Sequence, residues 1–151
     1  AGNPDHVRDA FRSMPLAALT PLLAIPEIEW IGLQKGAPAQ QIAALPAGCA
    51  LRDMAAHSQN FADLAALIAE LDLVITVDTS VVHLAGALGR PTLLLLDTAH
   101  DWRWLQQRHD SPWYPTVRLI RQTARGDWAG AVEEAKIELA RHFNFRHPHF
   151  G

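Results

Sequence analysis

The chain has 151 residues, with 13 Lys+Arg against 16 Asp+Glu, a net charge of -3 at pH 7 and 49% hydrophobic residues. That balance suits one globular α/β domain with a core of its own, and it excludes a general nucleic-acid binder, which would be basic. A single cysteine, Cys49, excludes an internal disulfide and a cysteine metal cluster, and no apolar run reaches the ~18 residues of a membrane span, so the expected compartment is the cytoplasm.

The first residues, Ala1-Gly-Asn-Pro-Asp-His, read as the loop that follows a strand, although no strand precedes them. A Gly-Asn-Pro turn leading into a helix is where a doubly wound domain puts its first phosphate-facing loop. The first strand is therefore expected upstream of Ala1. Leu16, Leu19, Leu22 and Leu23 then recur with helical period, and Pro21 is expected to kink or restart that helix. Ile28 to Leu33 reads as a strand. Lys35, one of two lysines, follows it in Gln34-Lys35-Gly36, as either a ligand-facing residue or a solvated loop lysine. Pro38 to Leu45 reads as a short helix and Ala50 to Met54 as a weak strand. Asn60, with Asp63 in the first turn, opens a helix running to about Leu71.

The stretch from Asp72 to Leu96 is the organising one. Leu73 to Val77 is apolar and β-branched without alternation, as expected for a strand buried on both faces. Asp78, Thr79 and Ser80 are all residues that cap a helix N-terminus. The helix they open should stop at Gly89, with Pro91 beyond it, before a second apolar strand at Thr92 to Leu96. In such a strand–helix–strand unit, ligands gather at the strand C-terminal ends, where free N–H groups and the helix dipole favour phosphate. Asp78, Thr79, Ser80 and His83 fall at that spot, with Thr79 and His83 on one helix face. The same pattern serves equally well as an ordinary cap with a half-buried histidine.

Beyond Leu96, the segment Asp101-Trp-Arg-Trp104 and then Ser111-Pro-Trp-Tyr-Pro115 follows a strand end and should overhang the same cleft. Trp102, Arg103 and Trp104 are the candidates there: rings that stack on a base or sugar, rings that pack as a lid, or rings that cover core or another domain. Thr116 to Arg121 is a further strand, and Asp127 caps a last helix to about Phe143 with Ala131, Ala135 and Leu139 on one face. The alternation throughout predicts an α/β fold, a Rossmann-like parallel sheet with helices on both faces. Residues 1–142 are expected to be the domain, and 143–151, with His147 and His149, a tail. The dinucleotide fingerprint, the P-loop and the nucleophile elbow are all missing from the sequence.

From Asp78-Thr-Ser-Val-Val-His through Gly89-Arg-Pro91, the sequence resembles the C-terminal, donor-binding half of heptosyltransferase-type glycosyltransferases of the GT-B fold. Gly2-Asn-Pro4, Ser13-Met-Pro-Leu16, Leu33-Gln-Lys-Gly36, Asp101-Trp-Arg-Trp104, Ser111-Pro-Trp-Tyr-Pro115 and Gly126-Asp-Trp128 are similar to the bacterial subgroup that carries tetratricopeptide repeats upstream. The resemblance covers Gly2 to about Ala140. It implies transfer of a sugar from a UDP- or ADP-linked donor to an acceptor hydroxyl. The donor diphosphate would lie on Asp78, Thr79 and Ser80 with His83 one turn in, Lys35 and Arg8 as basic side chains, and Asn3 on the first loop. It implies no metal and no other cofactor. The acceptor and general base come largely from an N-terminal half, so no catalytic residue is assigned in this chain.

Two positions depart from the family pattern. Ser80 stands where heptosyltransferases have glycine, and Arg8-Asp9-Ala10 stands where the subgroup reads Asn-Asp-Arg. These departures keep open a non-catalytic nucleotide-sugar or protein-binding module of a repeat scaffold. A plain α/β domain whose cleft faces another protein is a third possibility. A sheet lacking its first strand would also expose a pairing edge, which predicts a homodimer.

Overall fold

The computed structural model describes residues 13–144. The expectations placed on Asn3 and Arg8, on the loop holding Ala10, and on the tail beyond Asn144 lie outside the described residues. A 3₁₀ turn at Leu16–Leu19 runs into helix α1 (Thr20–Leu23), with Pro21 in its first turn. Pro21 therefore restarts the helix, because its ring tolerates only that position.

Strand β1 (Trp30–Gly32) pairs in parallel with β2 (Leu51–Asp53), in the register Trp30 to Leu51 and Gly32 to Asp53. Both are shorter than the sequence predicts, and the helix expected at Pro38 to Leu45 is 3₁₀, spanning Ala37–Ala44. Helix α2 (Phe61–Ala69) opens on a capping box. Asn60 Oδ1 accepts from the N–H of Ala62 at 2.8 Å and of Asp63 at 3.0 Å, while Asp63 Oδ2 accepts from Asn60 N–H at 3.3 Å.

Strand β3 (Val74–Val77), helix α3 (Ser80–Ala87), strand β4 (Thr92–Leu96), strand β5 (Val117–Arg121) and helix α4 (Trp128–Phe143) complete the chain. The second sheet is parallel in the order β3-β4-β5, with Val74 opposite Thr92 and Leu95 opposite Ile120. Helices cover both of its faces, and alternation along β4 sorts the core into two. Leu93 and Leu95 pack with Leu22, Ile120, Val132 and Leu139 beneath α1 and α4. Leu94 and Leu96 pack with Val82 of α3, Leu119 and Trp104 on the other face. Ile68 of α2 and Ala85 of α3 bury Val74 between them.

All five residues of β4 are buried, as its sequence predicts, whereas β3 buries Val74 and Val77 but leaves Ile75 and Thr76 half-buried. The reason is topological. Among the described residues β3 pairs only with β4, and β1 only with β2, so each has one edge without a strand partner. Gly89 ends α3 in the left-handed region at φ 67°, which explains the stop signal there. Among the described residues no helix is long and apolar enough to cross a membrane.

Candidate functional site

A cavity of about 1410 Å³ lies between the two sheets and opens at the C-terminal ends of β1, β3 and β4. It is lined by Trp30, Ile31 and Gly32 of β1 and by Val74, Ile75, Thr76 and Val77 of β3 in unbroken succession. A cavity above one face of a strand touches alternate residues, so contact with successive ones places it along both strand edges. This floor is apolar, closed by Leu22 and Leu139 from one side and Leu64 and Leu67 from the other.

The mouth is polar. Lys35, Asp78, Thr79, Ser80, His83, Asp97, His100, Asp101 and Arg103 all line it. The fold thus brings together six of the residues the sequence singled out: Lys35, Asp78, Thr79, Ser80, His83 and Arg103. Thr79 is the residue that caps α3: its extended backbone ends β3's run, and its Oγ1 accepts from Val81 N–H at 3.4 Å. Thr76 Oγ1 lies 3.5 Å from Thr79 Oγ1, continuing the polar edge down into the strand. Ser80 is the exposed first residue of α3. The positive end of the helix dipole therefore faces the mouth.

Lys35 lies in the loop after β1, and its Nζ donates to the carbonyl of Ser58, a buried residue on the cavity wall. Arg103 sits across the mouth in a two-pronged pair with Asp101, Nε to Oδ1 at 2.9 Å and Nη2 to Oδ2 at 3.1 Å. That hydrogen bond raises the pKa of the guanidinium above its ordinary value; desolvation opposes it, and the charges of Asp101 and Asp78 add to the rise. Asp78 therefore lies near enough for its charge to act on Arg103 across the opening.

The loop carrying Arg103 is pinned from below. Arg121, at the end of β5, donates through Nη2 to the carbonyls of Trp104 at 2.8 Å and Leu105 at 2.9 Å, and through Nη1 to Arg108. Partial burial lowers the pKa of this guanidinium. The His100 ring lies between the two ends of the loop, Nδ1 3.1 Å from Asp97 O and Nε2 2.9 Å from Leu105 O. Leu105 and Gln107 take left-handed backbone angles (φ 52° and 60°), conformations that non-glycine residues hold only where such contacts over-determine them.

The tryptophans do not overhang the cleft as expected. Trp104 is fully buried among Val82, Leu94 and Leu119, because the 3₁₀ turn Trp102–Trp104 points it inward onto the sheet. Trp102, on the same turn, is 73% exposed and lies away from the cavity. Only Arg103 of the three faces the mouth.

Sequence reasoning missed two groups here. Asp97 caps its own loop, Oδ1 accepting from Ala99 N–H at 2.6 Å, and its place right after β4 was the available signal. Tyr114 reaches His83 from 31 residues away, with Oη 3.1 Å from Nδ1, and nothing local in the sequence announces that pair. Among the described residues no group of three or more His, Cys, Asp or Glu is placed to hold a metal ion.

The family model for glycosyltransferase family 9 (heptosyltransferase) matches residues 33–129, which include Lys35, the Asp78–Ser80 turn, His83 and Arg103. The chain is 32% identical over 124 residues to Protein FlbA of Caulobacter vibrioides, an alignment covering 76% of this chain and 20% of that protein. The chain thus spans about a fifth of that relative's length. No solved structure matches.

Proposed function

The chain belongs to glycosyltransferase family 9 (heptosyltransferase), and from that membership we propose that it forms the donor-binding portion of an enzyme that moves a sugar from a nucleotide diphosphate to an acceptor hydroxyl. The observation that carries this reading is the convergence of Lys35, His83, Arg103 and the N-terminus of α3 on one cleft mouth. When the bond from the anomeric carbon to the diphosphate oxygen breaks, negative charge collects on the leaving diphosphate. Donors already aimed at that charge stabilise the transition state more than the ground state.

In this reading the diphosphate lies on Asp78, Thr79 and Ser80 with His83 one turn in. Lys35 exchanges the Ser58 carbonyl for a phosphate oxygen, and the Ser80 hydroxyl donates where a glycine would let backbone approach. Asn3 and Arg8 enter the proposal from the sequence alone. No metal is invoked, since helix dipole and basic side chains supply the positive charge. The base and the acceptor belong to a preceding half of the protein, with tetratricopeptide repeats further upstream, in a cytoplasmic setting.

The apolar floor belongs to the same proposal. The cavity runs along β1 and β3, each of which has one edge without a strand partner among the described residues, and a further parallel strand between them would join the two sheets. Helical residues Leu16–Leu23 precede β1, the element order that a parallel crossover from such a strand requires, which favours a strand supplied by a preceding part of the protein. Amide exchange tests this: Ile31 and Ile75 should exchange quickly in this chain and slowly in a longer one that includes the strand. Equal exchange in both would sink the idea, and protection that appears only at high concentration would make a second copy the occupant.

Calorimetric titration with UDP, ADP and GDP, in the presence of EDTA, tests the site. One nucleotide should saturate, and Lys35→Ala should weaken it by roughly tenfold or more, the scale of a lost charge-assisted contact, while Asp78→Ala should weaken it by removing the carboxylate whose charge acts on Arg103 at the mouth. Binding that survives both substitutions, or that EDTA abolishes, overturns the reading. Ser80 is the residue that favours a non-catalytic module instead. Binding without any sugar transfer by the longer protein would select that alternative.

A further inference from the structure

Two distant segments of the chain converge on the imidazole of His83, the one aromatic side chain that α3 presents to the cleft. Trp104 stacks on it with ring centroids 5.5 Å apart and planes 21° apart. Tyr114 meets it edge-on at 5.7 Å, with Oη 3.1 Å from Nδ1. Neither Trp104 nor Tyr114 lines the cavity, so both hold the ring from behind.

Tyr114 is itself held. Ser111 is buried, and its Oγ accepts from the N–H of Trp113 at 3.2 Å and of Tyr114 at 3.3 Å. The Tyr114 carbonyl accepts from Val117 N–H at 3.0 Å, at the first residue of β5. Its ring lies against Gly86 so closely that a Cβ there would fall 2.5 Å from Tyr114 Cγ. Gly86 is three residues after His83, so one face of α3 supplies both the imidazole and the gap that admits the phenol.

A neutral imidazole has one N–H and one lone pair, so a nitrogen that accepts a hydrogen bond leaves the proton on the other. We propose that Tyr114 is a positioning residue for the donor site, its hydroxyl donating to Nδ1 and holding His83 as the tautomer that carries its proton on Nε2. The free nitrogen then meets the cleft as an N–H donor. That suits the phosphate oxygens of a nucleoside diphosphate, which a bare lone pair would repel. The inference rests on the reading of the cleft as a diphosphate site, while its first step, control of the tautomer, is a property of the protein alone.

The experiment separates the two. The full chain, labelled with ¹⁵N at histidine, is examined by long-range ¹H–¹⁵N correlation at a pH where His83 is neutral, and UDP and ADP are titrated by calorimetry. The Nε2–H tautomer is expected in the wild type. Tyr114→Phe keeps the ring over Gly86 and should give a mixture of tautomers, with nucleotide affinity falling roughly five- to tenfold, the scale of one misdirected hydrogen bond to a charged group. In a His83→Ala background, Tyr114→Phe should change affinity no further.

A wild-type His83 protonated at Nδ1 overturns the proposal without any variant being needed. So does an unaltered tautomer in Tyr114→Phe, or an equal loss of affinity in the His83→Ala background. If the wild type shows the Nε2–H tautomer yet binds neither nucleotide, the diphosphate reading fails while the hold of Tyr114 on His83 stands.

Discussion

In the three-stranded sheet, β4 has a paired strand on each edge and helices over each face, and every one of its residues is buried. In the two-stranded sheet, β1 and β2 have three residues each, and Arg52 and Asp53 of β2 are exposed. Both use the same parallel pairing, which by itself stabilises little. What differs is the apolar surface that pairing lets each strand bury. The three-stranded half therefore acts as the rigid frame. The cleft lies where its packing ends, along β3, whose middle residues Ile75 and Thr76 are only half-buried.

The sharpest way to break that comparison is to remove equal side chains from each half. Leu94→Ala, at a fully buried position of β4, should cost about 2–5 kcal/mol in urea unfolding. Ile31→Ala, at a half-buried position of β1, should cost less than half as much. Equal losses would mean that the two-stranded half shares the core's cooperativity. Next comes Gly86→Ala. The added methyl meets the Tyr114 ring backed by Ser111, so overpacking should cost about 1–3 kcal/mol and disturb His83, seen as a shift of its ring resonances.

The smallest expected effect concerns acid. Asp127 Oδ1 accepts from Gly130 N–H at 3.1 Å, and Thr123 Oγ1 donates to its Oδ2 at 3.0 Å. The first of these, with help from the second, lowers its pKa below the usual 3.8. A carboxylate stabilised in the folded state contributes stability that is present above the unfolded pKa and is lost as pH falls through the folded one. Thermal melts should therefore show α4 loosening below about pH 4, and Asp127→Asn should flatten that dependence. An unchanged acid limb in the variant would remove Asp127 from the account.

Much of this was legible in the residues. Asn60 with Asp63, Gly89 and Asp127 each mark a helix end through contacts within a few positions, and each marks it in the structure, while of the three cap candidates Asp78, Thr79 and Ser80 the structure selects Thr79. The polar mouth was legible for the same reason, since Lys35 and the Asp78–Ser80 turn directly follow strands and strand ends meet at one rim. The tryptophans were not. Trp102 and Trp104 differ by two positions in one turn, yet one is exposed and the other fully buried. Only the direction of that turn over the sheet separates them.

Local chemistry in the sequence was sufficient for the order of elements, their caps and the apolar run that became β4, because those depend on backbone groups and neighbours a turn away. The tertiary structure decided what depends on segments far apart in the chain: the open edges of β1 and β3, the pinning of the Arg103 loop by Arg121, and the seat of Tyr114 against Gly86 and His83. Those contacts form only once α3 and β5 have docked on a common sheet, and docking is set by packing across the whole core.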